Sequence, residues 1–143
     1  MAKAARSDDI ERVTSPEVME EFLAAYCAGW AVPDSEGFKR NVRLWLGRKG
    51  WSLYLARAAG RPAATAILYI EDKVAYLADA SCDPAYRQGG LQLALFEHRI
   101  NEAIAAGVEF ICSGAAFQSG SHRNMERAGM RIQFVRAIWT ELV

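Results

Sequence analysis

The chain has 143 residues, about the commonest size of one folded domain, with 52% hydrophobic and 24% charged, the balance of a globular protein rather than a disordered one. Seventeen basic residues cancel seventeen acidic ones, which excludes the broad positive field of a nucleic-acid or anionic-membrane binder and makes any anion site local. Cys27, Cys82 and Cys112 are odd in number and widely spaced, against a disulfide framework or a zinc site and in keeping with a reducing cytoplasm.

No apolar run approaches the ~20 residues that span a bilayer. Residues 1–7 lack the apolar stretch of a secretory signal and read as a short tail ahead of one domain over 8–143. Ile10 to Val13 is a candidate first strand. Ser15-Pro16 reads as an N-cap and first helical position, where proline's missing N–H costs nothing. Val18, Phe22, Ala25 and Gly29 follow at helical spacing until Val32-Pro33 breaks the run. A second helix is predicted from Asp34 or Ser35, with Phe38, Val42, Trp45 and Leu46 on one face and Gly47 and Gly50 at its end.

The period then changes. Trp51 to Ala58, Ala63 to Ile70 and Val74 to Cys82 are extended stretches rich in aromatic and β-branched residues. Gly60-Arg61-Pro62 and Glu71-Asp72-Lys73 separate them and are short enough for hairpins, so the middle reads as an antiparallel meander. Pro84 ends the third stretch. Leu93, Phe96, Ile100 and Ile104 recur at helical intervals up to a stop at Gly107. Val108 to Cys112 is a short apolar strand, and His122 to Ala128 a brief helix closed by Gly129. Met130 to Val135 and Ala137 to Leu142 are predicted as final strands.

The chemistry concentrates where a strand runs into Asp83-Pro84-Ala85-Tyr86 and then Arg87-Gln88-Gly89-Gly90-Leu91-Gln92 opens the long helix. A helix start presents unpaired N–H groups and the positive end of its dipole, so it can hold an anion. Glycines let the backbone approach a phosphate with no Cβ in the way, and converging N–H groups make a cradle. A glycine pair alone is equally a tight turn; the order strand, proline, aromatic, arginine, glycine, helix is more specific.

That order resembles the signature of the GNAT (Gcn5-related N-acetyltransferase) superfamily, in which a strand ending V-x-P precedes R/Q-x-x-G-x-G/A at the start of the main helix. Cys82-Asp83-Pro84 stands at the first element and Arg87 to Gln92 at the second. Asn124-Met125-Glu126-Arg127-Ala128-Gly129-Met130 resembles the family's late helix and its glycine-aromatic end, with Met130 at the aromatic position. The resemblance implies an α/β (α+β) acyl-CoA N-acyltransferase fold with a mixed, mostly antiparallel sheet of six to seven strands and four helices. It implies acetyl-CoA as co-substrate, no metal, an amine acceptor and the possibility of a homodimer. The pantetheine arm is expected along the strand ending Ala80-Ser81-Cys82, the pyrophosphate at Arg87, Gln88, Gly89, Gly90, Leu91 and Gln92, and Asn124 on the pantetheine side.

Two positions depart from the pattern. Gln92 stands where glycine or alanine is usual, so its side chain points away from the phosphate or bonds to it. Met125 occupies the position at which many members carry a tyrosine that protonates the departing thiolate, and methionine has no proton to give. Tyr76 and Asp79 lie on the signature strand, where alternation puts them on opposite faces, so that one alone faces the cleft. Each also has a structural alternative, core packing for Tyr76 and local pairing for Asp79. Ser119 and Ser121 either cap the late helix or donate to the thiolate. Trp30 and Trp45 serve packing or line an acceptor pocket. The reading is an N-acetyltransferase using direct attack by an amine of a small molecule or peptide. Its alternative, supported by Met125, is an acyl-CoA-binding module without turnover.

Overall fold

Hairpin chemistry sets the frame. Ala59 and Gly60 both adopt positive φ (49° and 77°), the two-residue turn whose twist matches that of its flanking strands, and it joins β2 (Trp51–Ala58) to β3 (Arg61–Glu71). A second tight turn, with Asp72 at φ 51°, joins β3 to β4 (Val74–Cys82). The computed structural model describes residues 9–32 and 35–141. The tail over 1–7, the break at Pro33, the helix start at Asp34 and the strand end at Leu142 lie outside the described residues.

Around this meander stand β1 (Ile10–Arg12), α1 (Pro16–Trp30), α2 (Glu36–Arg43), α3 (Leu91–Ala105), β5 (Phe110–Ser113) and α4 (Gly120–Arg127). The sheet order is β1-β2-β3-β4-β5. β1 to β4 are antiparallel, and β5 joins β4 in parallel. Ser15 caps α1 by accepting from the N–H of Val18 at 3.3 Å, and Ser35 caps α2 through Phe38 in the same way. The mixed sheet and the four helices are as expected from the sequence.

The core lies in two layers. α1 buries Met19, Phe22, Leu23 and Tyr26 with Val42 of α2 against Leu53, Leu55 and Ile67. α3 buries Leu91, Leu95, Phe96 and Ala103 on the opposite face, over Tyr54, Ala56, Ala64, Ala66, Leu68, Ala75 and Leu77. Full burial of one such Leu or Phe contributes roughly 1.5–3 kcal/mol. The alanines of the sheet let α3 approach closely. Ile104, placed on the α3 core stripe by periodicity, is exposed.

The sheet has five strands among the described residues, not six to seven. Residues 130–141, expected as two strands, carry no secondary structure, and Ile132, Phe134, Val135, Ile138 and Trp139 are exposed. Strand propensity is largely a preference for packing on a neighbour. No strand among the described residues pairs with this segment.

Candidate active site

A gap opens in the sheet where β4 outruns its partner. β5 pairs with β4 only from Val74↔Phe110 to Leu77↔Ser113. There the Ser113 hydroxyl donates to the Leu77 carbonyl at 2.8 Å, and the chain leaves the sheet through Gly114. From Ala78 to Cys82 no strand among the described residues pairs with the outer edge of β4.

The same stretch carries a β-bulge. Ala80 pairs with Ala66 while Ala78 pairs with Ile67, so Asp79 is an extra residue without a partner. The bulge overturns the expected alternation. Ala78 packs against the α1 layer and Ala80 against the α3 layer. Asp79 stays on the α1 side, where the Tyr26 hydroxyl donates to its Oδ2 at 2.9 Å. Tyr76 and Asp79 therefore line one cleft together. Burial, reinforced by the Asp79 carboxylate, pushes the Tyr26 phenol up, so it stays protonated and keeps donating.

Arg99 of α3 holds the bulge from the other side. It is 1% exposed. Its Nε donates to Leu95 O at 3.1 Å, and its Nη1 donates to Ile67 O at 2.9 Å and to Ala78 O at 2.8 Å. Both sheet carbonyls sit where the register shifts. Burial pushes the guanidinium down to about 10, still cationic at neutral pH.

Beyond Cys82 the Asp83 carboxylate accepts from the N–H of Ala85 at 2.8 Å and starts a short turn over Pro84–Tyr86. Arg87 then reaches back, its Nε donating to Cys82 O at 3.2 Å and its Nη2 to Gly29 O at 3.4 Å. Both partners are neutral carbonyls, so the charge of Arg87 is not cancelled there. Gln88 and Gly90 take positive φ (67° and 80°), and α3 begins at Leu91 with no side-chain cap on its first turn. Its leading N–H groups are thus left to an external acceptor. A Cβ on Gly90 would meet nothing within 4 Å, so space lies in front of the turn.

Gly29 brings α1 against β4. A Cβ there would lie 2.5 Å from Ser81 Oγ and 3.0 Å from the Cys82 nitrogen. The Ser81 hydroxyl also shares a buried hydrogen bond with Thr65 at 2.9 Å.

The cleft so formed has a volume of about 490 Å³. Of the residues singled out from the sequence, Tyr76, Asp79, Ala80, Ser81, Cys82, Arg87, Gln92, Ser121 and Asn124 line it, as do Trp30 and Met125. Gln88, Gly89 and Gly90 form the turn between Arg87 and Gln92, and the Leu91 side chain is buried in the core. Ser119 stands apart: it caps α4 by accepting from the N–H of His122 at 3.1 Å and is not among the lining residues. Tyr26 and Arg99 escaped the sequence reading, which placed Gly29 only on the helical stripe of α1. Arg99 had a signal, since it follows Leu95 and precedes Ala103 by one turn each, inside an apolar stripe where a cation needs buried partners.

The family model for the acetyltransferase (GNAT) domain matches residues 1–123. The chain belongs to the GNAT acetyltransferase family. No match appears among curated protein sequences, and the solved structures that this GNAT domain resembles are distant. One is the aminoglycoside acetyltransferase AAC(6')-Iy in complex with a CoA-linked bisubstrate analogue, at 14% identity and TM-score 0.76 over 94% of this chain and 98% of that one. Another is AAC(6')-Ih from Acinetobacter baumannii, at 19% identity and TM-score 0.71 over 94% and 97%. A ribosomal-protein alanine N-acetyltransferase from Escherichia coli gives 23% identity and TM-score 0.71 over 84% and 75%. At such identities the likeness shows the shared fold.

Proposed function

We propose that this GNAT domain transfers an acetyl group from acetyl-CoA to a primary amine. The observation that carries the reading is the open β4 edge, which presents Asp79 on a bulge a short way along the strand from an uncapped helix start. The residues fit the co-substrate. The amides from Gln88 to Gln92 and the Arg87 guanidinium suit a pyrophosphate, and the outer edge of β4 from Ala80 to Cys82, turned away from β3, suits the amides of a pantetheine arm. Asn124 faces that arm from α4. The structures complexed with CoA or a CoA analogue among its neighbours support the same choice.

Bound acetyl-CoA supplies the acetyl group as a thioester, already activated toward amines. Asp79 holds the acceptor ammonium at the oxygen that Tyr26 leaves free. It takes one proton there, directly or through water, and frees the nitrogen lone pair for attack. The Tyr26 hydrogen bond fixes the carboxylate in the orientation this requires. Ser121 lines the cleft and can donate to the departing sulfur, a task closed to Met125. Tyr76 borders the acceptor.

Calorimetric titration with acetyl-CoA tests the site. Binding by the native chain, lost in a folded Gly90→Glu variant that places a carboxylate before the turn, is the expected result. Release of free thiol in the presence of amines tests turnover, and Asp79→Asn should lower kcat by roughly 10²–10⁴-fold. Met125 favours a second reading, a domain that binds acyl-CoA without turning it over. Tight binding with no thiol release toward any amine would select it. The proposal includes a second copy of the chain as partner, since residues 130–141 expose a row of large apolar side chains.

A further inference from the structure

We infer that the acceptor is a monocationic amine with an apolar, preferably aromatic, body, and not a polycation. The inference rests on the transferase reading and on how charge and apolar surface are distributed around Asp79.

Among the described residues that line the cleft, Asp79 is the sole carboxylate, while Arg87 and Arg99 are cations. One oxygen of Asp79 is occupied by Tyr26. The remaining oxygen accommodates one ammonium. Each further ammonium of a polyamine or an amino sugar would lose water without gaining a counter-charge from the chain. The segment that follows α4 adds Arg131 and Arg136 against Glu141, so it supplies no acidic surplus.

The surface beside Asp79 is apolar instead. The bulge puts Asp79 and Tyr76 on one face of the sheet. α1 and α2 cover that face over β2, β3 and the Ala78–Cys82 end of β4 but leave it exposed at Val74, Tyr76 and Phe110. Trp30 at the end of α1 is 47% exposed, Tyr76 45% and Phe110 65%. Register places Phe110 opposite Val74, two residues from Tyr76 on the same face of the sheet. Trp30 in turn packs on Tyr26 with ring centroids 6.3 Å apart, so the ring wall runs up to the carboxylate. An ammonium on Asp79 with a one- or two-carbon tether sets its body against Trp30 and Tyr76. Aromatic faces favour such contacts and also attract the cation.

The test compares acceptors at saturating acetyl-CoA by thiol release, using phenethylamine against neamine and spermidine. Phenethylamine should exceed both in kcat/KM by at least roughly tenfold, the ratio expected from one well-placed contact. Trp30→Ala should raise the phenethylamine KM several-fold with little change in kcat, which a merely folding defect would not do. Preference for neamine or spermidine, or equal rates for all three, overturns the inference. Should none be acetylated, calorimetry of phenethylamine and neamine with the CoA-bound protein decides it. Binding of phenethylamine alone, weakened by Asp79→Asn, upholds the acceptor class while defeating turnover. Binding of neutral phenylethanol as tightly as phenethylamine, or no binding by either amine, defeats the class. Failure of acetyl-CoA itself to bind would instead strike at the proposed function.

Discussion

Arg99 shows how one side chain shapes the site without entering its chemistry. A strand bulge leaves carbonyls without ladder partners, and an unpaired buried carbonyl costs about 1–3 kcal/mol. Arg99 satisfies two of them, Ile67 O and Ala78 O, from within the α3 layer. Arg99→Met keeps the volume but leaves both carbonyls bare. The variant should lose about 2–4 kcal/mol in urea unfolding, and even where fully folded its kcat should fall, because Asp79 no longer has a fixed bulge beneath it. Unchanged turnover in a variant destabilised by that amount would show that the bulge holds without the arginine. Tyr26 illustrates a complementary point. Its place on the apolar stripe of α1 was readable from spacing, yet its partner Asp79 lies 53 residues away in sequence, and no local pattern joins the two.

At the scale of elements, α1 and β4 meet through the smallest possible contact. Gly29 has ordinary helical backbone, so the reason for glycine there is space. A Cβ would fall 2.6 Å from Ser81 Cβ, and the helix would have to move off the strand. Gly29→Ala should cost about 1–3 kcal/mol in thermal or urea unfolding and weaken acetyl-CoA binding, since the Gly29 carbonyl also receives Arg87. Native stability and native affinity in this variant would mean that α1 shifts freely. The hairpins, the main helix and the signature turn were legible because each is written in local residue types: Gly60 for a turn, which the structure closes as Ala59-Gly60 with Arg61 and Pro62 already in β3, and Gly90 ahead of the main helix. The bulge was not. Its sequence, Ala78-Asp79-Ala80, reads as plain alternation, and the register shift exists only because β3 and α3 impose it from either side.

At the scale of the molecule, residues 130–141 and the edge of the sheet both stand without a strand partner among the described residues. There β5 has a neighbour on one side only. Ile132, Phe134, Val135, Ile138 and Trp139 are all exposed, Phe134 at 80% and Trp139 at 92%. The expected outcome is a dimer in which each copy covers the other's segment 130–141, giving the mass of two chains by light scattering. A Phe134→Asp, Trp139→Asp variant should run as one chain with its unfolding midpoint little changed. A native protein that stays monomeric at high concentration would overturn this.

The sequence by itself determined the order of the elements up to α4 and the glycine turn at the start of α3, which depend on local preference and periodicity along the chain. The family and about half of the residues that line the cleft were reached through the resemblance of the motif around that turn. The tertiary structure alone decided that Tyr76 and Asp79 share a face, that Tyr26 and Arg99 hold the bulge between them, that Ser119 is a cap, and that residues 130–141 pair with no strand among the described residues. Apart from the Ser119 cap, a contact three residues long that the sequence had left as one of two readings, each of these is a relation between segments distant in sequence, fixed by where a buried polar group finds its partner and where a strand runs out of neighbours.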